Sequence, residues 1–518
     1  MKKNITRAEW STLLLFLAIL LGAFMRFSPT LLAGFPINDG GMFAVMIDDL
    51  KASHYLLPAF TTYNHIDIPF AYPPLGFYLG RFASDLFGIS AVDALRWVPA
   101  FFASLSIPAF YFLALRVLKD KYYAAVSTLF FAMMPRAFFW FVMGGGLTRS
   151  PGQFFMLLAL TSIVRLCEED RRIDILWAGL FSGLAVLSHP EAAVHTILSA
   201  AFLWLMLSRK CDTFLRSLGV AAVVLIVTAP WWVTVIRYHG VGPLLSAAAT
   251  GQKALSIFHL LFFSFTEEPY ATFIAVLGLI GIGYRLLRRD YLLPLWMVFP
   301  FILEGRSAPG PAAIPLAMLA AVGLVDVVLA ATQKQADVDA EHVSPVERNI
   351  FIYLTLYLIF SAYQFGFQLS NAKLYPPDPE AMAWVSENSS ADSRFLVLTG
   401  TTSVSCDSVL EWFPALTGRQ SIFTIQGREW TEGKNFNNYI LSTYPVQRCL
   451  SSGDALCFDS AVSRDDFDYV YLSKTLRANN CASLDTPRTF PYFVESMRKD
   501  GGLNVVYETE NVIVWEKK

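Results

Sequence analysis

The chain has 518 residues, of which 55% are hydrophobic and 16% are charged. A soluble globular domain carries about 25% charged residues, so this composition favours a membrane protein. The net charge is −2, which excludes the strongly basic surface by which many proteins bind nucleic acid. We therefore expect membrane lipids, and no nucleic acid, as partners.

Apolar runs alternate with short polar segments over the first 370 residues. A transmembrane helix needs about 20 mostly apolar residues, and eleven runs come close to this length. The first run, after "MKKNITRAEW", exceeds the ~7–15 apolar residues of a signal peptide, so we interpret it as a retained span. The predicted spans are 12–33, 97–118, 122–142, 151–167, 174–190, 191–207, 214–236, 270–287, 291–304, 311–331 and 349–369.

Clusters of lysine and arginine indicate the orientation of these spans. They fall in every second connection, as in "LRVLKDKYY" and "YRLLRRD", whereas the other connections hold isolated basic residues. Cytoplasmic loops of membrane proteins carry the excess of lysine and arginine. We therefore predict a multi-pass protein of the plasma membrane, or of the endoplasmic reticulum in a eukaryote, with a cytoplasmic N-terminus and an exterior C-terminal domain.

The first exterior loop, residues 34–96, is long and amphipathic. It opens with "FPINDGG", in which Asp39 precedes two glycines, and continues with "GGMFAVMIDDLKASHY" and "YPPLGFYLGRFASDLFG". Apolar residues at helical spacing predict two helices that lie along the membrane surface. Asp48 and Asp49 are interpreted as the solvated face of the first of them. Such an ordered loop favours an enzyme that acts at the membrane surface over a transporter.

The composition changes from Tyr375 onwards. "LYPPDPEAMAWVSENSS" predicts a helix, "RFLVLTG" and "DYVYLSK" predict strands, and "NVVYETENVIVWEKK" predicts a hairpin. We therefore predict a mainly α protein: a polytopic transmembrane domain over 1–370 and an exported α/β domain over 371–518.

Four cysteines lie in this C-terminal part, at positions 406, 449, 457 and 481. An even set of cysteines outside the cytoplasm could form two disulfides. The alternative is that they are buried thiols.

Together these features resemble the GT-C membrane glycosyltransferases. Asp39 after the first span, the long first loop and "YPPLGFYL…LFG" are similar to the protein O-mannosyltransferase and aminoarabinose transferase branch. "AMAWVSENSSADSRFLVLTG…VLEWFPALTGRQSIFTIQGREW" is similar to oligosaccharyltransferase catalytic subunits. The resemblance implies a polyprenyl-phosphate-linked sugar donor, an inverting transfer to a protein, lipid or glycan acceptor, and a first-loop carboxylate at the reacting centre.

Asp39 is the residue that this resemblance identifies as the catalytic base. Inverting transfer needs a base opposite the leaving phosphate to take the acceptor's proton. The alternative is that Asp39 only caps the helix that follows. The family's paired acids, of the D-x-D or Asp-Glu type, are absent from this loop. A divalent metal is therefore left open, and no metal ligand is assigned.

Two isolated arginines suit a lipid phosphate. Arg149 follows three glycines in "FVMGGGLTRSPGQ", and Arg306 precedes a helix start in "LEGRSAPGPAAIPLA". Backbone N–H groups and a guanidinium bind phosphate oxygens well. The alternative for a lone exterior arginine is that it snorkels to the surface, as we interpret Arg237.

Two short acidic or histidine-containing motifs are further candidates for substrate binding. "LSHPEAAVH" holds His189 and Glu191 at an exterior turn, where a polar contact that stabilises the turn is equally plausible. "FFSFTEEPY" holds Glu267 and Glu268, which resemble the acceptor-binding loop of oligosaccharyltransferases. A helix N-terminal acidic pair is the alternative there.

In the predicted exported domain, "EWFPALTGR" supplies Glu411, Trp412 and Arg419. Aromatic and charged neighbours bind sugars or peptides by stacking and hydrogen bonding. The alternative is an ordinary aromatic core.

Two other functions remain open at this stage. A transporter or flippase of a lipid-linked substrate would explain the spans but not the first loop or the strand-rich domain. A non-catalytic GT-C-like assembly partner would explain the missing second acid.

Overall fold

The computed structural model describes residues 5–169, 171–208, 211–249, 271–303, 305, 307–332, 342–401, 404, 407–452, 455–475, 478–479, 483–484 and 490–518. The helices of the membrane part are, in chain order, α1 (Arg7–Ala33), α2 (Gly41–Ala52), α3 (Leu75–Phe87), α4 (Ala91–Leu118), α5 (Lys121–Met133), α6 (Gly146–Glu168), α7 (Ile173–Ser188), α8 (Pro190–Leu207), α9 (Cys211–His239), α10 (Gly242–Ala249), α11 (Phe273–Leu287), α12 (Leu292–Leu303), α13 (Pro309–Val322) and α14 (Pro345–Leu369). Helix α13 continues through a π-helical segment, Gly323–Leu329, to Ala330–Thr332.

Ten of the eleven predicted spans coincide with a helix. Within the described residues, seven helices are long and apolar enough to cross a membrane: α1, α4, α6, α8, α9, α14, and α13 with its continuation. The other three straight helices, α7, α11 and α12, have 16, 15 and 12 residues. The prediction of a polytopic helical domain is confirmed.

The remaining predicted span, 122–142, is broken. Helix α5 ends at Met133, and the segment Pro135–Phe141 continues at an angle of 84° to it. Proline has no N–H to donate and disfavours the helical region for the residue before it, and Met134 accordingly has ψ 120°. The bend turns the chain from Arg136 onwards towards the first loop.

The first loop is ordered by two helices and a short ribbon. Helices α2 and α3 coincide with the two predicted amphipathic stretches. Strands β1 (Phe60–Thr61) and β2 (Ile68–Pro69) pair antiparallel between them. The Asp49 carboxylate, 7% exposed, accepts hydrogen bonds from both threonine hydroxyls at 61 and 62. The solvated-face interpretation is therefore wrong for Asp49, because this loop folds back over α2.

The C-terminal region, residues 371–518, is built around a five-stranded sheet. Its strands are β3 (Arg394–Leu398), β4 (Gln420–Ser421), β5 (Tyr469–Ser473), β8 (Leu503–Glu508) and β9 (Val512–Lys517), in the order β4-β3-β5-β9-β8. Strands β6 (Ala478–Asn479) and β7 (Ser483–Leu484) form a separate pair. The helices are α15 (Pro377–Asn388), α16 (Ser408–Thr417), α17 (Glu429–Glu432), α18 (Phe436–Ser442), α19 (Tyr444–Ser452), α20 (Ala455–Ala461) and α21 (Pro491–Lys499). The strand and hairpin predictions are confirmed.

A disulfide joins Cys449 and Cys457 within this region. Cys406 and Cys481 lie outside the described residues.

The first loop and the C-terminal region share one hydrophobic core. Phe43 and Phe77 of the loop belong to the same buried cluster as Trp412 and Phe413 of α16. The predicted domain boundary at residue 370 therefore stays a prediction, because residues from before and after it pack in one core.

Candidate active site

Asp39 lies in the tight connection between α1 and α2. Its Oδ1 accepts a hydrogen bond from the N–H of Gly145 at 2.8 Å, and its Oδ2 lies 3.5 Å from Nη1 of Arg149. About a quarter of each side chain of this pair, 24% for Asp39 and 25% for Arg149, is exposed. The carboxylate is thus fixed by one N–H and one guanidinium while remaining accessible.

Glycines allow this close approach of the two connections. A Cβ at Gly144 would lie 1.7 Å from the carbonyl oxygen of Asp39, and one at Gly145 would lie 2.5 Å from its Oδ2. The N–H of Gly144 donates to the carbonyl of Ile37 at 2.9 Å. Glycine is therefore required at position 144, where a Cβ would meet the backbone of Asp39, whereas at position 145 a Cβ would meet the side chains of Asp39 and Arg149.

A cavity of about 420 Å³ opens beside this pair. Its walls come from the bent segment after α5 and from the starts of α6, α8 and α13. The lining residues are Arg136, Trp140, Phe141, Arg149, Gln153, Met156, His189, Glu191, Ala192, His195, Ser307, Pro309, Gly310 and Pro311. Three helix N-termini, each the positive end of a helix dipole, meet here. The arrangement suits an anionic ligand.

The arginines of the cavity strengthen this preference. Arg149 projects from the first turn of α6, and its guanidinium lies 5.7 Å from the ring centroid of Trp140, a cation–π contact. Arg136 is buried, with 9% of its surface exposed. Two guanidiniums at one cavity favour a doubly anchored phosphate.

Polar side chains complete the wall. His189 caps α8 by accepting the N–H of Glu191 at its Nδ1, at 3.2 Å. His195 Nε2 is hydrogen-bonded to the hydroxyl of Ser307 at 2.7 Å. The polar contact that stabilises the turn, one of the two alternatives for His189 and Glu191, is therefore present. Both side chains also line the cavity.

The structure does not bring every predicted site residue to this cavity. Trp412 is fully buried, and its Nε1 donates to the carbonyl of Asn38 at 3.2 Å. Arg419 donates to the carbonyls of Ser386 and Ser389, at 2.7 and 2.8 Å, and so ties α16 to the end of α15. Trp412 therefore presents no exposed face to a sugar, and the guanidinium of Arg419 is engaged within the C-terminal region.

Glu411 is buried beside the Asp39 segment. Burial, assisted by the nearby carboxylate of Asp39, raises the pKa of Glu411 to about 8. The other candidates, Arg306, Glu267 and Glu268, lie outside the described residues.

Sequence reasoning missed Arg136 and Gln153. Arg136 stood inside a predicted span, and an ionisable residue at membrane depth is by itself a functional signal. Gln153 is 2% exposed, and its Oε1 accepts no hydrogen bond from the part of the chain that the structure describes. Such an acceptor at a cavity wall suits a ligand whose hydroxyl group donates a hydrogen bond. No pattern in the sequence distinguishes Gln153 from other glutamines.

Among the described residues, no group of three or more histidine, cysteine or acidic side chains is placed to bind a metal ion.

Residues 71–233 match the family model "Dolichyl-phosphate-mannose-protein mannosyltransferase". No curated protein sequence matches significantly. The matched segment contains the "YPPLGFYL" motif, the bent segment and both Arg136 and Arg149.

Several solved structures have a similar fold. The chain is 16% identical to the oligosaccharyltransferase AglB from Archaeoglobus fulgidus, in complex with an inhibitory peptide and a dolichol-phosphate, with a TM-score of 0.55 over 90% of this chain and 69% of that one. It is 14% identical to ArnT from Cupriavidus metallidurans bound to undecaprenyl phosphate, with a TM-score of 0.56 over 98% and 97% of the two chains. It is 13% identical to the arabinofuranosyltransferase AftD from Mycobacteria, with a TM-score of 0.57 over 99% of this chain and 40% of that one.

A further structure of the Archaeoglobus fulgidus enzyme is a complex with Zn and sulfate. All of these proteins have the GT-C fold, so the fold class and the family resemblance predicted from the sequence are confirmed.

Proposed function

We propose that this chain, which has the fold of the GT-C membrane glycosyltransferases, transfers a sugar from a polyprenyl-phosphate carrier to an acceptor, with inversion, and that Asp39 is the base. One observation carries the proposal: Asp39 lies 3.5 Å from Arg149 at the rim of a cavity that three helix N-termini surround. A base and an anion-binding site are thus adjacent, as the reaction requires.

The cavity is assigned to the phosphate of the donor. Arg136, Arg149 and the helix N-termini stabilise the negative charge that develops on the phosphate as the glycosidic bond breaks. The bound dolichol-phosphate of AglB and undecaprenyl phosphate of ArnT support this class of donor. His189, Glu191 and Gln153 are assigned to hydroxyl groups of the sugar.

Asp39 is assigned to the acceptor side of the sugar. Its carboxylate takes a proton from the acceptor's hydroxyl or amide while the acceptor atom attacks the anomeric carbon from the face opposite the phosphate. The bond to the phosphate oxygen breaks in the same step, and the electron pair leaves with the phosphate. The acceptor is a protein, lipid or glycan on the exterior or lumenal face.

The remaining candidates keep their proposed roles. Arg306 is proposed as a further phosphate contact, and Glu267 and Glu268 are proposed for acceptor binding. The orientation, with the N-terminus in the cytoplasm and the C-terminal region outside, is supported by the Cys449–Cys457 disulfide.

Purified full-length protein incubated with a panel of radiolabelled polyprenyl-phosphate sugars tests the proposal. We expect label to move from the lipid phase to a protein, lipid or glycan acceptor fraction with one or more donors. Carrier-mediated movement of intact donor across vesicles, without release of free polyprenyl phosphate, would instead indicate a flippase. If the protein shows neither transfer nor movement of any donor, the result would favour a non-catalytic assembly partner.

Replacing Gly144 by alanine is expected to lower kcat for transfer by about 10²-fold, because a shift of about 1 Å in a catalytic group costs that much. The new Cβ would lie 1.7 Å from the backbone oxygen of Asp39, so the Asp39 segment must move. Initial rates with labelled donor measure the effect.

Gly283→Ala in α11 is the matched control, because a Cβ there meets no atom within 4 Å and alanine favours a helix. Its rate should equal that of the wild type. Equal rates for Gly144→Ala and wild type would mean that the position of Asp39 does not matter for transfer.

A further inference from the structure

Two neighbouring side chains of α16 bind the backbone on both sides of Asp39. Oε1 of Glu411 accepts the N–H of Gly40 at 3.1 Å and the N–H of Met42 at 3.3 Å. Nε1 of Trp412 donates to the carbonyl of Asn38 at 3.2 Å. The residues before and after Asp39 are therefore both held by a helix that lies more than 360 positions later in the chain.

The backbone that these bonds hold has positive φ on both sides of Asp39. Asn38 has φ 59° and Gly40 has φ 124°. Asparagine and glycine tolerate such values better than other residues, but each has other conformations open to it, so surrounding contacts are needed to select this one. Glu411 and Trp412 supply contacts of this kind on each side of Asp39.

The contact is tight and dry. Asn38 is 4% exposed, Glu411 3% and Trp412 0%. A Cβ at Gly41 would lie 2.4 Å from the carbonyl oxygen of Glu411. The hydroxyl of Tyr63 donates to that same carbonyl at 2.8 Å, so the start of α16 is itself anchored to the first loop.

The chemistry of Glu411 fits a hydrogen-bond acceptor better than a charge. Its Oε2 is buried without a hydrogen-bond partner among the described residues. Burial and the carboxylates of Asp39 and Glu429 raise its pKa to about 8, against the opposing effect of the two N–H groups. The raised pKa favours the neutral acid over the carboxylate, and Oε1 accepts both N–H groups.

We infer that Glu411 and Trp412 are positioning residues that hold Asp39 in its productive place, so that the C-terminal region forms part of the active site. The inference rests on the proposed function, because it takes Asp39 as the base. It assigns Glu411 no contact with the substrate. Glutamine at position 411 should keep this positioning role, because its side chain is neutral and has an acceptor oxygen, whereas alanine should not.

The test compares Glu411→Ala, Glu411→Gln and Trp412→Phe in the full-length protein. We expect Glu411→Ala to lower kcat for transfer by about 10²-fold while the KM for the lipid donor stays unchanged, because only the placement of the base is lost. Glu411→Gln keeps the acceptor oxygen and should retain most of the wild-type kcat. Trp412→Phe should lower kcat less than Glu411→Ala, since one of the three bonds is removed.

A second readout needs no transfer activity. Hydrogen exchange of the peptide that contains Gly40 and Met42, followed by mass spectrometry, should be faster in Glu411→Ala than in the wild type and unchanged in Glu411→Gln. If the proposed function is wrong, no variant will show sugar transfer, but the hydrogen-exchange differences between the variants will remain. If Glu411→Ala does not fold, Trp412→Phe provides the same two readouts through Asn38.

Tyr471→Phe is the control for a merely structural effect. Its hydroxyl bonds Asp378 at 2.9 Å in the core of the C-terminal region, away from Asp39. It should lower the unfolding temperature without changing kcat. The inference is overturned if Glu411→Gln loses as much kcat as Glu411→Ala, which would indicate a proton-carrying role. It is equally overturned if Glu411→Ala alters neither kcat nor exchange.

Discussion

Asp39→Asn is expected to lower kcat for sugar transfer by about 10²–10⁴-fold, the contribution typical of a general base. Asparagine is almost the same size, and its oxygen can still accept the N–H of Gly145 that now binds Oδ1 at 2.8 Å. What it cannot do is take up the acceptor's proton at neutral pH. We therefore expect the unfolding temperature and the KM for the donor to change little. Initial rates with labelled donor, together with thermal unfolding of the purified protein, measure both effects.

Asp48→Asn is the matched control for this experiment. Asp48 lies on the same loop with 66% of its side chain exposed, and it pairs with Arg81 at 3.2 Å. Exposed ion pairs contribute only about 0–1 kcal/mol, so this variant should transfer at the wild-type rate. A wild-type rate in Asp39→Asn would remove Asp39 from the mechanism. Equal losses in both variants would point instead to a general disturbance of the loop.

Arg149→Ala is expected to lower kcat/KM by about 10²–10³-fold, as the loss of one preorganised charge contact does in other active sites. The guanidinium lines the cavity and contacts both the Asp39 carboxylate and the ring of Trp140. Its removal takes away positive charge where the leaving phosphate becomes more negative. Arg149→Lys keeps the charge without the planar fork of donors, so its rate should fall between those of alanine and wild type.

Inhibition by free polyprenyl phosphate separates phosphate binding from the ion pair with Asp39. Arg149→Ala should bind this inhibitor more weakly, whereas Asp39→Asn should bind it about as well as the wild type. Arg237→Ala, at an exposed arginine at the end of α9, is the control and should behave as wild type in both assays. Unchanged inhibition of Arg149→Ala would place the donor phosphate elsewhere.

The bent segment after α5 explains one limit of sequence reasoning. Residues 122–142 were predicted as one span because their composition is apolar nearly throughout. Pro135 bends the chain by 84° and turns Arg136 into the cavity wall. A hydropathy pattern measures only how apolar a run is, and it contains no information on the direction that the chain takes after a proline.

The acid that supports Asp39 shows a second limit. "EWFPALTGR" suggested Glu411 and Trp412 as groups that bind a sugar or peptide, with an ordinary aromatic core as the alternative. In the fold both are buried against residues 38–42. Contacts across more than 360 positions depend on how α16 packs on the first loop, and no local pattern encodes that packing.

The sequence by itself determined ten of the eleven spans, the two helices of the first loop, the strands of the C-terminal region and the glycosyltransferase resemblance. It did so because each of these depends on local periodicity, on composition or on short motifs. The sequence also identified Asp39 and Arg149, since an ionisable residue at the end of an apolar run is conspicuous wherever it occurs. Only the tertiary structure placed those two side chains 3.5 Å apart, gathered the starts of α6, α8 and α13 around one cavity, and brought α16 against the Asp39 segment. Distances between remote segments are set by packing and by close backbone approach at Gly144 and Gly145, which arise only when the whole chain is folded.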